Sequence, residues 1–60
     1  FKIQVGKKYK YVGALNPNNE GVVVEVLKIL NNGRAIVDKV IYTNAGEPIN
    51  TLRMDKLFPV

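Results

Sequence analysis

The sequence predicts a small all-β protein, a five-stranded antiparallel barrel, and three observations carry that expectation. Val22 to Val26 and Ile36 to Tyr42 are dominated by valine, isoleucine and tyrosine, the side chains that fit a pleated, half-buried surface. Turn signals recur between such runs: Asn16-Pro17-Asn18-Asn19, Asn31-Asn32-Gly33 and Asn44-Ala45-Gly46-Glu47-Pro48. No window carries the 3.6-residue period of an amphipathic helix. Short strands at even spacing, with no helix between them, argue for an antiparallel barrel or sandwich.

The first strand is expected over Lys8 to Val12. There Tyr9 and Tyr11 share one face and Lys8 and Lys10 the other, a half-buried alternation. Gly13 to Glu20 reads as a loop, because Pro17 cannot donate to a ladder and asparagine tolerates turn conformations. The second strand, Gly21 to Leu30, and the third, Arg34 to Thr43, are apolar on both faces along part of their length. Central strands of a small barrel bend at bulges or glycines and serve two sheets, so they bury different faces in turn.

The hairpin register follows from matching side chains. With Asn31-Asn32-Gly33 as a three-residue loop, Leu30 faces Arg34, Leu27 faces Val37, Glu25 faces Lys39, Val24 faces Val40 and Val23 faces Ile41. Apolar then meets apolar and one opposite-charge pair forms. A two-residue Asn32-Gly33 loop would set Leu27 against Asp38. The three-residue loop also puts Gly33 at the left-handed position of a type I turn with a bulge. Pro48 to Arg53 is the fourth strand. Met54 to Leu57 suits one 3₁₀ turn, and Phe58-Pro59-Val60 closes as a short edge strand, where proline is tolerated. The expected buried set is Val24, Leu27, Val37, Val40, Leu52 and Leu57, with Tyr9, Tyr11, Tyr42 and Phe58 also packing inward.

Composition limits the chemistry. Sixty residues make one domain, residues 1–60, and a chain this short buries only about 60% of its unfolded surface. There is no cysteine and no histidine, so neither a disulfide nor a Cys/His zinc site can staple it. Apolar residues, 47% of the chain, must supply its stability. No metal or other cofactor is expected. A cysteine-free chain fits the cytoplasm. No apolar stretch approaches 18 residues, and Phe1 to Val5 lacks the apolar run of a signal peptide. Phe1 stands where an initiator methionine would, as in a fragment or a processed form of a longer chain.

Val5-Gly6-Lys7-Lys8-Tyr9-Lys10-Tyr11-Val12-Gly13, a loop, and then Glu20-Gly21-Val22-Val23-Val24-Glu25-Val26 resemble the KOW motif of ribosomal proteins and transcription-elongation factors. Gly21 matches its signature glycine. The ending Leu52-Arg53-Met54-Asp55-Lys56-Leu57-Phe58-Pro59-Val60 resembles the close of KOW, Tudor-like and bacterial SH3-like domains. The resemblance is one of pattern over most of the chain, and it implies an SH3-like barrel. It also implies contact with RNA or protein through Lys8, Lys10, Tyr11 and the loop Leu15 to Asn19, although that loop carries no basic or aromatic residue.

An enzyme is not expected. Without His or Cys the commonest acid–base and nucleophilic groups are missing, and Glu20, Glu25, Asp38, Glu47 and Asp55 are scattered. Nine Lys and Arg against five Asp and Glu give a net charge of +4, which attracts polyanions. Lys7, Lys8 and Lys10 interleave with Tyr9 and Tyr11, as lysines on phosphates interleave with rings on bases. Lysines on an edge strand also simply keep it from pairing with other chains. The leading expectation is a non-catalytic binding module for nucleic acid, RNA or DNA, or for a nucleic-acid-associated complex. Its candidate residues are Lys7, Lys8, Lys10, Tyr11, Arg34, Arg53 and Lys56. The alternatives are a protein–protein adaptor, such as a phage or mobile-element protein modulating a host factor, and a structural or homo-oligomerising subdomain that buries its surplus valine and isoleucine. With three Tyr, two Phe and no Trp, neither an aromatic cage nor a polyproline groove is expected.

Overall fold

The computed structural model describes residues 1–14 and 16–60. The strands are β1 (Lys8–Tyr11), β2 (Val23–Ile29), β3 (Arg34–Tyr42), β4 (Pro48–Arg53) and β5 (Leu57–Pro59). Single 3₁₀ turns occupy Pro17–Asn19 and Met54–Lys56, the second directly before the last strand as expected. All five strands join one antiparallel sheet in the order β4-β3-β2-β1-β5. The sheet is not closed. β4 and β5 are its two edges and no ladder joins them, so the barrel expected from the sequence is open along that seam. Pro59 sits in the edge strand β5, where its missing N–H costs no ladder bond.

β2 divides its length between two partners. Val23, Val24 and Glu25 stand opposite Lys10, Tyr9 and Lys8 of β1, whereas Val26, Lys28 and Ile29 stand opposite Val37, Ile36 and Ala35 of β3. Val26 is the switch residue: its amide donates to the Lys7 carbonyl at 3.0 Å and its carbonyl accepts from Gly6 at 2.8 Å.

Beside the turn, the expected register holds. Leu30 N–H donates to the Arg34 carbonyl at 2.8 Å, and Ile29 faces Ala35. Gly33 takes φ +82°, so the loop is the three-residue one. The β3–β4 loop repeats the device: Thr43 N–H donates to the Glu47 carbonyl at 3.0 Å, with Gly46 in the same left-handed position.

Past Leu27 the expected register fails. A bulge lies between Val26 and Lys28, so Leu27 is an extra residue and Val26, not Leu27, faces Val37. Glu25 does not meet Lys39; its amide donates to the Asp38 carboxylate at 2.9 Å. Val23 and Val24 face β1 instead of Ile41 and Val40. A larger irregularity follows on the other side of β3. Between the pairs Ile36–Thr51 and Ile41–Ile49, Val37, Asp38, Lys39 and Val40 stand against Asn50 alone.

These irregularities redraw the core. Tyr9, Val24, Val26, Ala35, Val37, Ile41, Leu52 and Leu57 are buried. Val24, Val37, Leu52 and Leu57 are therefore as expected. Leu27 and Val40 are not: they are 49% and 58% exposed. Leu27 is turned out by the bulge, and Val40 lies on the excursion of β3. Tyr42, at 57%, and Phe58, at 41%, also lie outward, because each follows an inward residue, Ile41 or Leu57, on its strand. Tyr9 is buried, but its phenolic hydroxyl keeps polar partners, as buried tyrosines do. It accepts from Gln4 N–H at 2.8 Å and donates to the Lys2 carbonyl at 3.4 Å. Among the described residues no helix is long and apolar enough to cross a membrane.

Candidate nucleic-acid interface

The seven candidate residues fall into two groups that share no depression. Lys8 and Lys10 stand exposed on the outer face of β1, as the alternation implies. Lys8 lies opposite Glu25 on β2, and Lys10 lies between Val23 on β2 and Phe58 on β5. Lys7 and Lys8 border a shallow depression with Phe1, Lys2 and Tyr9. The Phe1 ring stacks on Tyr9 at 6.3 Å between centroids and leans on Phe58 at 6.1 Å. This face is basic and flanked by rings, but Tyr9 is committed to the core.

Tyr11, Arg34, Arg53 and Lys56 form the second group, around a groove of about 340 Å³ beside the edge strand β4. β1 reverses face between Lys10 and Tyr11, so Tyr11 reaches inward and is half-buried against the core. The hairpin brings in the arginines: Arg34 begins β3, Arg53 ends β4, and the two are directly opposed. The 3₁₀ turn supplies Lys56. Its carbonyl accepts from Val12 N–H at 2.8 Å and its ammonium donates to the Gly13 carbonyl at 3.3 Å. Gly13 has no side chain to obstruct that stem; a Cβ there would meet the lysine at 3.2 Å.

Electrostatically the arginine pair is a local conflict. Like charges directly opposite on neighbouring strands are destabilising. Arg53 is paired with Asp55 at 2.7 Å, but both side chains are well exposed, so this pair contributes little stability. Among the described residues no carboxylate pairs with Arg34 or Lys56. No group of three or more His, Asp or Glu gathers anywhere among them as a metal site would require.

The groove does not end at its cations. Tyr11 and Ile49 also line a second depression of about 270 Å³, walled by Asn16, Asn19, Thr43 and Asn44. Arg34 and Arg53 also line a third, of about 460 Å³, beside Asn32 and Gly33. The groove thus shares Tyr11 and Ile49 with one neighbouring depression and Arg34 and Arg53 with the other. Asn16 and Asn19 belong to the loop that the resemblance names, whereas Ile49 and Asn44 were missed, since a strand isoleucine reads as packing and a turn asparagine as a turn former. That role is real: Asn16 Oδ1 accepts from Asn18 N–H at 3.0 Å, and Asn19 Nδ2 donates to the Tyr42 carbonyl at 2.7 Å. The second bond ties the β1–β2 loop to the end of β3 and so shapes the wall. Glu20 braces the same loop, its carboxylate accepting from the Gly13 and Ala14 amides at 2.9 Å. Leu15, which the resemblance places in a contact loop, lies outside the described residues. No protein-family model matches the sequence, and no curated protein or solved structure is significantly similar to it.

Proposed function

We propose that this chain is a non-catalytic binding module of the SH3-like, KOW/Tudor-like kind that contacts the phosphate backbone of nucleic acid through the Arg34–Arg53–Lys56 groove. The observation that carries the reading is the opposed arginine pair with Asp55 beside only one member. An arrangement that works against stability is expected where a function compensates it, and a bound phosphate would relieve the repulsion. Lys7, Lys8 and Lys10, on the other face, add a general attraction for polyanions.

The test is fluorescence anisotropy with labelled RNA and DNA at about 50 and 200 mM salt. Three phosphate contacts give a slope of log affinity on log salt of about −2 to −3, or a loss of about 20- to 40-fold over that range. Arg34→Gln should remove about 0.7–0.9 from the slope. The Lys8→Glu, Lys10→Glu double change should weaken binding to all sequences alike, since phosphate contacts position without specifying. Absence of binding at the lower salt would overturn the reading and favour the protein-adaptor alternative.

A further inference from the structure

We infer that the groove binds a single strand, with an unstacked base on the Tyr11 ring and its phosphate held by Arg34 and Lys56. This rests on the function proposed above and goes beyond it, because phosphate contact alone is equally available to a duplex.

The order of chemistry across two depressions that share a wall carries the inference. At one end stand cations, Arg34 and Lys56. In the middle, Tyr11 and Ile49 are shared by two adjoining depressions. At the other end stand amides, with Asn19 and Asn44 on the wall. A nucleotide presents the same sequence of groups: an anion, a flat apolar ring face and a polar edge. Asn19 uses its Nδ2 on Tyr42, which leaves Oδ1 as an acceptor for a base edge.

Concavity favours the single strand over the duplex. Tyr11 is half-buried between the cation end and the amide end. In a duplex the base faces are covered by stacking, and recognition uses protruding elements that enter a groove. A recessed ring is met face-on only by a base that has left its stack, which is the normal state of single strands and loops. Aromatic stacking is tolerant of base identity, so the site favours strandedness over sequence.

The experiment compares single-stranded RNA and DNA of about eight nucleotides with the matching duplexes, using Tyr11→Leu and Tyr11→Phe proteins checked for fold by circular dichroism. The expected result is single-strand binding at least about tenfold tighter than duplex binding. Tyr11→Leu should lose about 5- to 150-fold in single-strand affinity, the range that base stacking covers. Tyr11→Phe, which keeps the ring, should retain it. If Tyr11→Leu fails to fold, intermolecular nuclear Overhauser effects in the unaltered protein replace it. Contacts between Tyr11 ring protons and base protons of oligouridine support the inference; binding without them overturns it. Equal affinity for duplex, or a folded Tyr11→Leu protein with unchanged affinity, also overturns the inference while leaving phosphate binding intact. Groove amides that shift with an acidic peptide and with no oligonucleotide would overturn both, assigning the open β4 edge to a protein strand.

Discussion

The two ends of the β2–β3 hairpin obey different rules. Beside the turn, Leu30 pairs with Arg34 and Ile29 with Ala35, and the phase is set by three residues of loop. Beyond Leu27 the phase slips by one on β2, and β3 then runs through four residues against one of β4. A turn fixes register only as far as the ladder stays regular. At the corner, β2 must leave β3 for β1, and the bulge that permits this bend also exchanges which residues face inward. The groove runs beside the edge strand β4, and its Arg53 and Lys56 stand at the end of β4 and in the 3₁₀ turn that leads to β5. The candidate site thus lies along an edge that the open sheet leaves unpaired.

The largest effects should come from residues that are buried under either register. Leu52, at 1% exposure opposite Ala35, should cost about 2–5 kcal/mol on truncation to alanine. A 60-residue domain has roughly 3–9 kcal/mol in total, so Leu52→Ala should be partly unfolded at room temperature. A denaturation midpoint close to that of the unaltered protein would mean that the inner face of β4 is misassigned.

A sharper comparison is between neighbours across the bulge. With the slip, Val26 is buried and Leu27 half-exposed. Val26→Ala should cost about 1.5–3 kcal/mol, and Leu27→Ala less than about 1 kcal/mol. Without the slip the order reverses, and the larger side chain becomes the costlier one to remove. Urea midpoints for the two variants decide between the registers directly.

What the sequence makes legible follows the same division. Strand runs, turn glycines and the closing 3₁₀ turn are local, and they are placed within a residue or two. Which face of Val22 to Val26 and of Ile36 to Tyr42 lies inside is not local. Val23 and Val24 have the same chemistry, as do Leu27 and Val26, so apolar identity cannot report a bulge that shifts the count by one. The candidate site is legible in part for the same reason. Its cations stand out as charges, but that Arg34 and Lys56 share a groove with Tyr11, while Lys8 and Lys10 do not, is a consequence of strand faces and of long-range bonds such as Val12 to Lys56. Ile49 and Asn44 carry no sequence signal of their role.

The smallest effect tests the end of the hairpin where the phase is secure. Gly33 has φ +82°, and a Cβ built there meets nothing within 4 Å. Any cost of substitution is therefore conformational rather than steric crowding by neighbours. An L-residue in this region costs about 1–2 kcal/mol, and a β-branched one is the poorest fit. Gly33→Val should lower the unfolding free energy by about that amount, whereas Gly33→Asn should cost appreciably less, since asparagine enters this region readily. The Gly33 carbonyl also accepts from Met54 N–H at 3.0 Å, and Met54 opens the 3₁₀ turn that carries Lys56. Amide shifts in the valine variant should therefore reach Met54 and Lys56 but leave Tyr9 and Val24, beyond the bulge, unmoved. Equal stability of the valine and asparagine variants would mean that the loop does not hold Gly33 in the left-handed region, and the three-residue turn that sets the register would have to be abandoned.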